Sequence, residues 1–207
     1  MGAKIMIKNI VILSILFIQG GLLFATQQIQ DTLVYSGKEY SIAVEPMEGY
    51  FNKFPEKRPQ VNSSMLWRGY AAKFEIIQNE LWVVDILTMR SNMVGRDLVF
   101  SFTSIIEEVL DGKNRMKLEW YSGALTFRQG DHFVLLNIQN GSVISESNLD
   151  LDQFISFKTK QFEQYRQTEE YRNLKERHKS DTLTDEQIDN IILMVVLDTL
   201  DIMIDDF

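Results

Sequence analysis

The sequence predicts a mainly β fold with α, a small antiparallel β barrel or sandwich followed by a C-terminal helical hairpin. Three observations carry this. Residues 31–149 alternate short runs of strand formers with turn residues. Residues 152–207 are rich in Gln, Glu, Lys and Asp, with apolar residues at helical spacing. The change of texture falls near residue 150, so the expected division is 1–25 as a leader, 26–150 as an antiparallel β domain and 151–207 as helices.

The leader is read from charge and hydropathy. Lys4 and Lys8 form a basic start, and an apolar run from Asn9 to Phe24 follows, broken by Gln19-Gly20-Gly21. Ala25 then places a small residue before the polar Thr26-Gln27-Gln28. Basic, apolar, small, polar is the order of a cleaved signal peptide. The competing reading is a membrane anchor, but a spanning helix needs about 20 apolar residues, and this run is shorter. The expectation is an exported protein, periplasmic or extracellular, with a mature N-terminus near Thr26.

In the β half, Thr32–Tyr35 and Glu39–Val44 flank Ser36-Gly37-Lys38 as a first hairpin. Residues 45–65 hold all three prolines and read as a long loop with one helical turn. Leu66–Ile77 and Leu81–Thr88 form a second hairpin through Gln78-Asn79-Glu80. An even-numbered loop there pairs Ile76 with Leu81, Phe74 with Val83 and Tyr70 with Leu87. Leu98–Leu110 reads as a strand followed by a short helix, and Asp111–Asn114 as a turn. Three strands follow at Gly123–Phe127, His132–Ile138 and Ser142–Glu146, the last two joined by Asn140-Gly141, a strong hairpin signal.

In the helical half, Phe154, Phe157, Phe162, Tyr165 and Tyr171 recur among charged and amide residues. Thr184 with Gln187 spells a capping box for the last helix. Ile188, Ile191, Ile192, Val195, Leu200, Met203, Ile204 and Phe207 are expected on one apolar face, with Asp189, Asp198, Asp201 and Asp205 on the other.

Composition narrows the function classes. The chain has 207 residues, no cysteine and a net charge of −8. Disulfides, thiol nucleophiles, thiolate metal sites and iron–sulfur ligation are excluded. Removing Lys4 and Lys8 with the leader takes the mature chain of 182 residues (207 minus 25) to −10. Such a charge repels nucleic acid and anionic membranes and favours a basic partner.

The motifs are sparse in catalytic constellations. His132 and His178 are the only histidines, and neither has a second histidine at zinc-ligand spacing. Asp198, Asp201, Asp205 and Asp206 hold oxygens for a hard cation, but no EF-hand spacing is present and a solvated acidic face is the better reading. There is no G-x-S-x-G elbow and no phosphate or dinucleotide glycine loop. Carboxylate pairs for glycoside cleavage are drawn from Asp85, Glu75 or Glu119. The expected register puts Asp85 on the apolar face of Leu81, Val83 and Leu87, where an acid is paired or functional. Tyr70 or Arg68 is the expected partner.

Two aromatic segments remain, Trp67-Arg68-Gly69-Tyr70 and Trp120-Tyr121-Ser122-Gly123. Trp67 and Trp120 are read as core, and Arg68 as open between core and surface. Tyr121, the strand neighbour of Trp120, is expected to face the other way and be exposed.

The order Leu33–Tyr40, Trp67–Ile76, Leu81–Ile86 and Trp120–Leu125 resembles an uncharacterised bacterial protein family. Its marks are a WRGY…WEI…LYLV hairpin and a later W-(F/Y)-S-G-x-L-R-I-P-Q-G strand. The likeness covers about residues 31–148. Phe74 stands where the family has its second Trp, Arg128 where it has a Pro, and the tail from 152 lies outside the pattern. The resemblance implies a shared β fold and no catalytic residue.

The expected function is a non-catalytic exported binding protein with a protein partner, basic in character. It implies no nucleic acid, no membrane after leader cleavage, no metal and no cofactor. Binding residues are expected at Arg68, Tyr70, Asp85 and Tyr121. The alternative is a cell-envelope hydrolase working through carboxylates such as Asp85 and Glu119.

Overall fold

A computed structural model of the chain describes residues 28–94, 97–179, 183–205 and 207. The leader expected at 1–25 and the cation candidate Asp206 lie outside the described residues. Among the described residues no helix is long and apolar enough to cross a membrane.

The fold is mainly β with α, built on one nine-stranded sheet. The sheet is open rather than closed into a barrel, running β2-β1-β3-β4-β9-β8-β7, with β5 and β6 also paired to β4. The strands are β1 (Asp31–Tyr35), β2 (Lys38–Ile42), β3 (Ala71–Ile77), β4 (Glu80–Val94), β5 (Asp97–Ser104), β6 (Met116–Lys117), β7 (Gly123–Gln129), β8 (His132–Gln139) and β9 (Ser142–Leu149). The helices are α1 (Glu48–Lys53), α2 (Ile106–Val109), α3 (Leu151–Tyr165), α4 (Glu169–His178) and α5 (Asp185–Val196), with 3-10 turns at Pro55–Lys57 and Ser64–Leu66. The ladders with a resolved register are antiparallel except β1 with β3, which runs parallel and pairs Leu33 with Phe74.

Turn chemistry sets the hairpins. Ser36-Gly37, Gln78-Asn79 and Asn140-Gly141 each place two consecutive residues at positive φ. That is the geometry whose twist matches the flanking strands. Gly141 has a second duty, since a Cβ there would sit 2.7 Å from the Leu118 carbonyl oxygen.

The second hairpin follows the expected register from Ile77 to Phe74, with Ile76 against Leu81 and Phe74 against Val83. A bulge between Lys73 and Phe74 then inserts Val84, so that Lys73 meets Asp85 and Ala71, not Tyr70, meets Leu87. An extra residue reverses which face every later side chain takes. Leu81 and Val83 are buried before the bulge, Ile86 and Thr88 after it. Beyond Leu87, β4 continues with β5 as its partner, pairing Met89 with Phe102 and Met93 with Leu98. Met93, Phe100 and Phe102 are exposed on this ribbon.

Contacts divide the described residues into two units, one spanning 28–127 together with 136–146, the other 128–135 together with 147–207. The first has a core of Leu33, Phe51, Phe74, Leu81, Val83, Ile86, Leu118 and Leu125, all fully buried.

The second unit holds three helices where a hairpin of two was expected. Thr168 makes the break between α3 and α4. Its hydroxyl donates to the Tyr165 carbonyl at 2.8 Å, and the same oxygen accepts the Tyr171 amide at 3.1 Å. One side chain thus ends α3 and caps α4. Asp150 with Gln153 opens α3 and Thr184 with Gln187 opens α5, both as reciprocal capping boxes. Phe133 stacks on Phe154 at 3.9 Å between centroids. On α5, Ile188, Ile192 and Leu193 are buried, while Val195, expected on the same face, is exposed. The helix ends at Val196, so Leu200 and Ile204 reach the core from a non-helical segment. Asp189, expected on a solvated face, receives Arg166 at 3.1 Å, Lys175 at 3.0 Å and the Tyr171 hydroxyl.

That C-terminal segment is tied to α3 by two buried polar side chains. Lys158 Nζ donates to the Leu200 carbonyl at 3.1 Å, and Gln161 Nε2 to the Ile202 carbonyl at 2.6 Å. Burial pushes the Lys158 amine down to about 8, with Asp198 and Asp201 opposing the shift. An unfolded lysine titrates near 10.4. Between these values the unfolded chain binds more protons than the folded one, so this group adds stability as pH rises. From pH 7.5 to 9.5 the wild type should therefore gain about 1–2 kcal/mol relative to Lys158→Met. Urea midpoints of both proteins across that range measure it, and parallel curves would refute the assignment.

Candidate functional site

The four side chains expected to bind do not form one site. Arg68 and Tyr70 stand together but are buried. The Arg68 guanidinium donates to both oxygens of Asp31, at 3.1 and 2.8 Å, and lies 3.6 Å from Glu45. Asp31 also accepts the Ala72 amide at 2.8 Å. The guanidinium covers the Tyr70 ring at 4.8 Å, and the Tyr70 hydroxyl donates to Glu48 at 2.8 Å. Arg58 grips both Glu48 oxygens at 3.0 and 2.6 Å. Burial opposes the charge on Arg68, yet the Asp31 carboxylate holds it above its usual value. Burial likewise pushes the Tyr70 phenol up. It works against the Glu48 carboxylate too, but Arg58 and Tyr70 hold that group below its usual range. These groups satisfy one another and fasten β1, α1 and the start of β3.

Asp85 is on neither the apolar face nor this network. The bulge turns it away from Leu81 and Val83, and its Oδ1 accepts from Ser104 Oγ at 2.6 Å and from the Ile86 amide at 2.9 Å. Its expected partners, Tyr70 and Arg68, are replaced by Ser104. The tryptophan segments also depart from expectation. Trp67 is 57 % exposed, Tyr121 is buried and Trp120 is half-buried, the reverse of the assignment for the last two. Strand alternation does not apply there, because both residues lie in a turn after β6, where the Tyr121 amide donates to Leu118.

What the structure assembles instead is a groove of about 630 Å³. Its aromatic wall is Tyr50 and Phe54 from the α1 region, Trp82 from β4 and Trp120. Tyr50 lies 5.1 Å from Trp120 and 5.0 Å from Phe54, tilted at 44° and 48°. These rings are held from behind. The Tyr50 hydroxyl donates to the Val109 carbonyl at 3.0 Å, and Trp120 Nε1 to the Pro46 carbonyl at 2.9 Å. Gly49 lets the indole close, since a Cβ there would lie 2.9 Å from Trp120 Cδ1.

The rest of the lining is charged. β6 pairs Lys117 with Trp82, and Lys117 reaches Glu80 at 2.7 Å. The Arg115 guanidinium stands over the Trp82 ring at 5.4 Å and Lys53 over Phe54 at 5.4 Å. Lys113 completes the set, and Glu119 is the one carboxylate that the described residues bring to the lining. No carboxylate among the described residues pairs with Lys53, Lys113 or Arg115. A chain of net charge −8 thus gathers an excess of positive charge against aromatic rings. Of these residues, sequence reasoning had singled out Trp120, as core, and Glu119, as a carboxylate. The signal available was Lys113-Asn114-Arg115-Met116-Lys117, three cations in five residues of an acidic chain.

Among the described residues, no three or more His, Asp or Glu side chains stand together as a metal site. No family model, no curated protein and no solved structure matches the chain. The likeness of the Trp67–Ile76 and Trp120–Leu125 segments to an uncharacterised family rests on those motif residues alone.

Proposed function

We propose that this chain is an exported, non-catalytic binding protein, and that the groove lined by Tyr50, Trp82, Arg115 and Trp120 holds its ligand. The observation that carries the reading is the combination of the half-buried Phe54, Trp82 and Trp120 rings with Lys53, Lys113 and Arg115, which no carboxylate among the described residues neutralises. Pockets for small ligands pair an aromatic or apolar wall with a few placed polar groups. Arg, Trp and Tyr are also the residues that dominate binding energy. The acidic whole favours basic partners at long range, whereas the groove favours an acidic group at contact.

The hydrolase alternative fits less well. Glycoside cleavage by carboxylates needs two that face each other across the bond. Among the described residues Glu119 is the one carboxylate of the lining, and Asp85 is engaged with Ser104. Native mass spectrometry of the wild type with a defined mixture of saccharides, nucleotides and amino acids tests the reading. A 1:1 complex whose ligand is released with unchanged mass, and which Trp82→Ala abolishes, is the expected result. Ligand released in cleaved form would favour the hydrolase, and no retained ligand would overturn the groove as a site.

A further inference from the structure

Resting on the reading of the groove as a ligand site, we infer that its ligand is an acidic sugar, a saccharide ring bearing a carboxylate. The lining argues for this through what it contains and how it is arranged. Tyr50 is tilted at 44° to Trp120 and at 48° to Phe54, so neither pair is a parallel one with a slot between its rings. A nucleic-acid base is held by stacking and by side chains that hydrogen-bond its edge. Among the described residues this lining contains no Asn, Gln, Ser or Thr, which leaves its charged side chains alone to meet such an edge. A pyranose needs neither. It lays an apolar C–H face against an aromatic wall and leaves hydroxyls and its acid group at the rim.

The rim meets both demands. Lys53, Lys113 and Arg115 supply donors for a carboxylate, and the Arg115 fork suits its two oxygens. Glu119, acceptor-only when ionised, accepts hydrogen bonds from the hydroxyls of the ring.

The test is equilibrium binding read by tryptophan fluorescence, since two of the three tryptophans, Trp82 and Trp120, line the groove. Three probes of equal length are compared: trigalacturonate, the neutral galactose trimer and the trinucleotide dT3. Trigalacturonate should bind at least about tenfold more tightly than either of the others and weaken as salt is raised. Arg115→Glu should cost about tenfold or more, and Trp82→Ala a similar factor, read for that variant by calorimetry. Tighter binding of dT3, lost in the same variants, would overturn the ligand class and leave the groove standing as a site. Equal binding of the neutral trimer would remove the role of the cations. Binding of none of the three would sink the inference, and the ligand mixture above would then decide the groove itself.

Discussion

Ile192→Asp should cost about 4 kcal/mol or more, enough to unfold the helical unit at ordinary temperature. Ile192 is 0 % exposed, and Ile188 and Leu193 on the same helix are buried as well. The substitution removes a buried branched side chain, worth about 2–5 kcal/mol. It also places a carboxylate where no water reaches. Val195→Asp supplies the control on the same helix. Val195 is 62 % exposed, so its replacement should change stability by no more than about 0.5 kcal/mol. Thermal melts followed by far-UV circular dichroism compare the two. Equal losses would mean that α5 is covered on both faces, and no loss at Ile192 would contradict its burial.

Arg68→Ala should lower stability by about 3–5 kcal/mol. Asp31 is 1 % exposed and would keep the Ala72 amide while losing both guanidinium bonds. The cost is that of a buried carboxylate without its counter-charge. Tyr70 would also lose the cation over its ring. The pair itself is not expected to be worth this much. Replacing both partners, as Arg68→Met with Asp31→Leu, should recover much of the loss, because an apolar pair of similar volume needs no compensation. Urea melts of the single and double variants form the test. A double variant as unstable as the single one would show that the network holds β1 through its hydrogen bonds rather than by balancing charge.

The particular elements show where sequence reasoning reaches. The Ser36-Gly37 and Asn140-Gly141 turns, the Thr184–Gln187 capping box and the strand-then-helix reading of Leu98–Leu110 stand as read. Each is decided by residues within a few positions of one another, through φ preferences and local hydrogen bonds. The reading departs from the structure where one residue breaks a regular period, either by a bulge or by a cap inside a helix. The register of the second hairpin holds up to the Lys73–Phe74 bulge and fails beyond it, and with it fails the placement of Asp85. Thr168 broke the expected long helix because its hydroxyl serves both neighbours at once.

The sequence was enough to settle fold class, the absence of thiol chemistry, the acidic charge and the change from strands to helices near residue 150. Those are properties of composition and period, which are local or additive. Tertiary structure alone decided that Arg68 and Tyr70 are interior, that Tyr121 is buried and Trp120 partly open, and that Tyr50 meets Trp120 across 70 positions of sequence. The groove is made from α1, one residue of β4 and the segment around β6, brought together by the Trp82–Lys117 pairing and the bond from Trp120 to Pro46. No periodicity records such a meeting. It arises from strand pairing and close packing between segments far apart in the chain, so its chemistry becomes visible only when they are folded against one another.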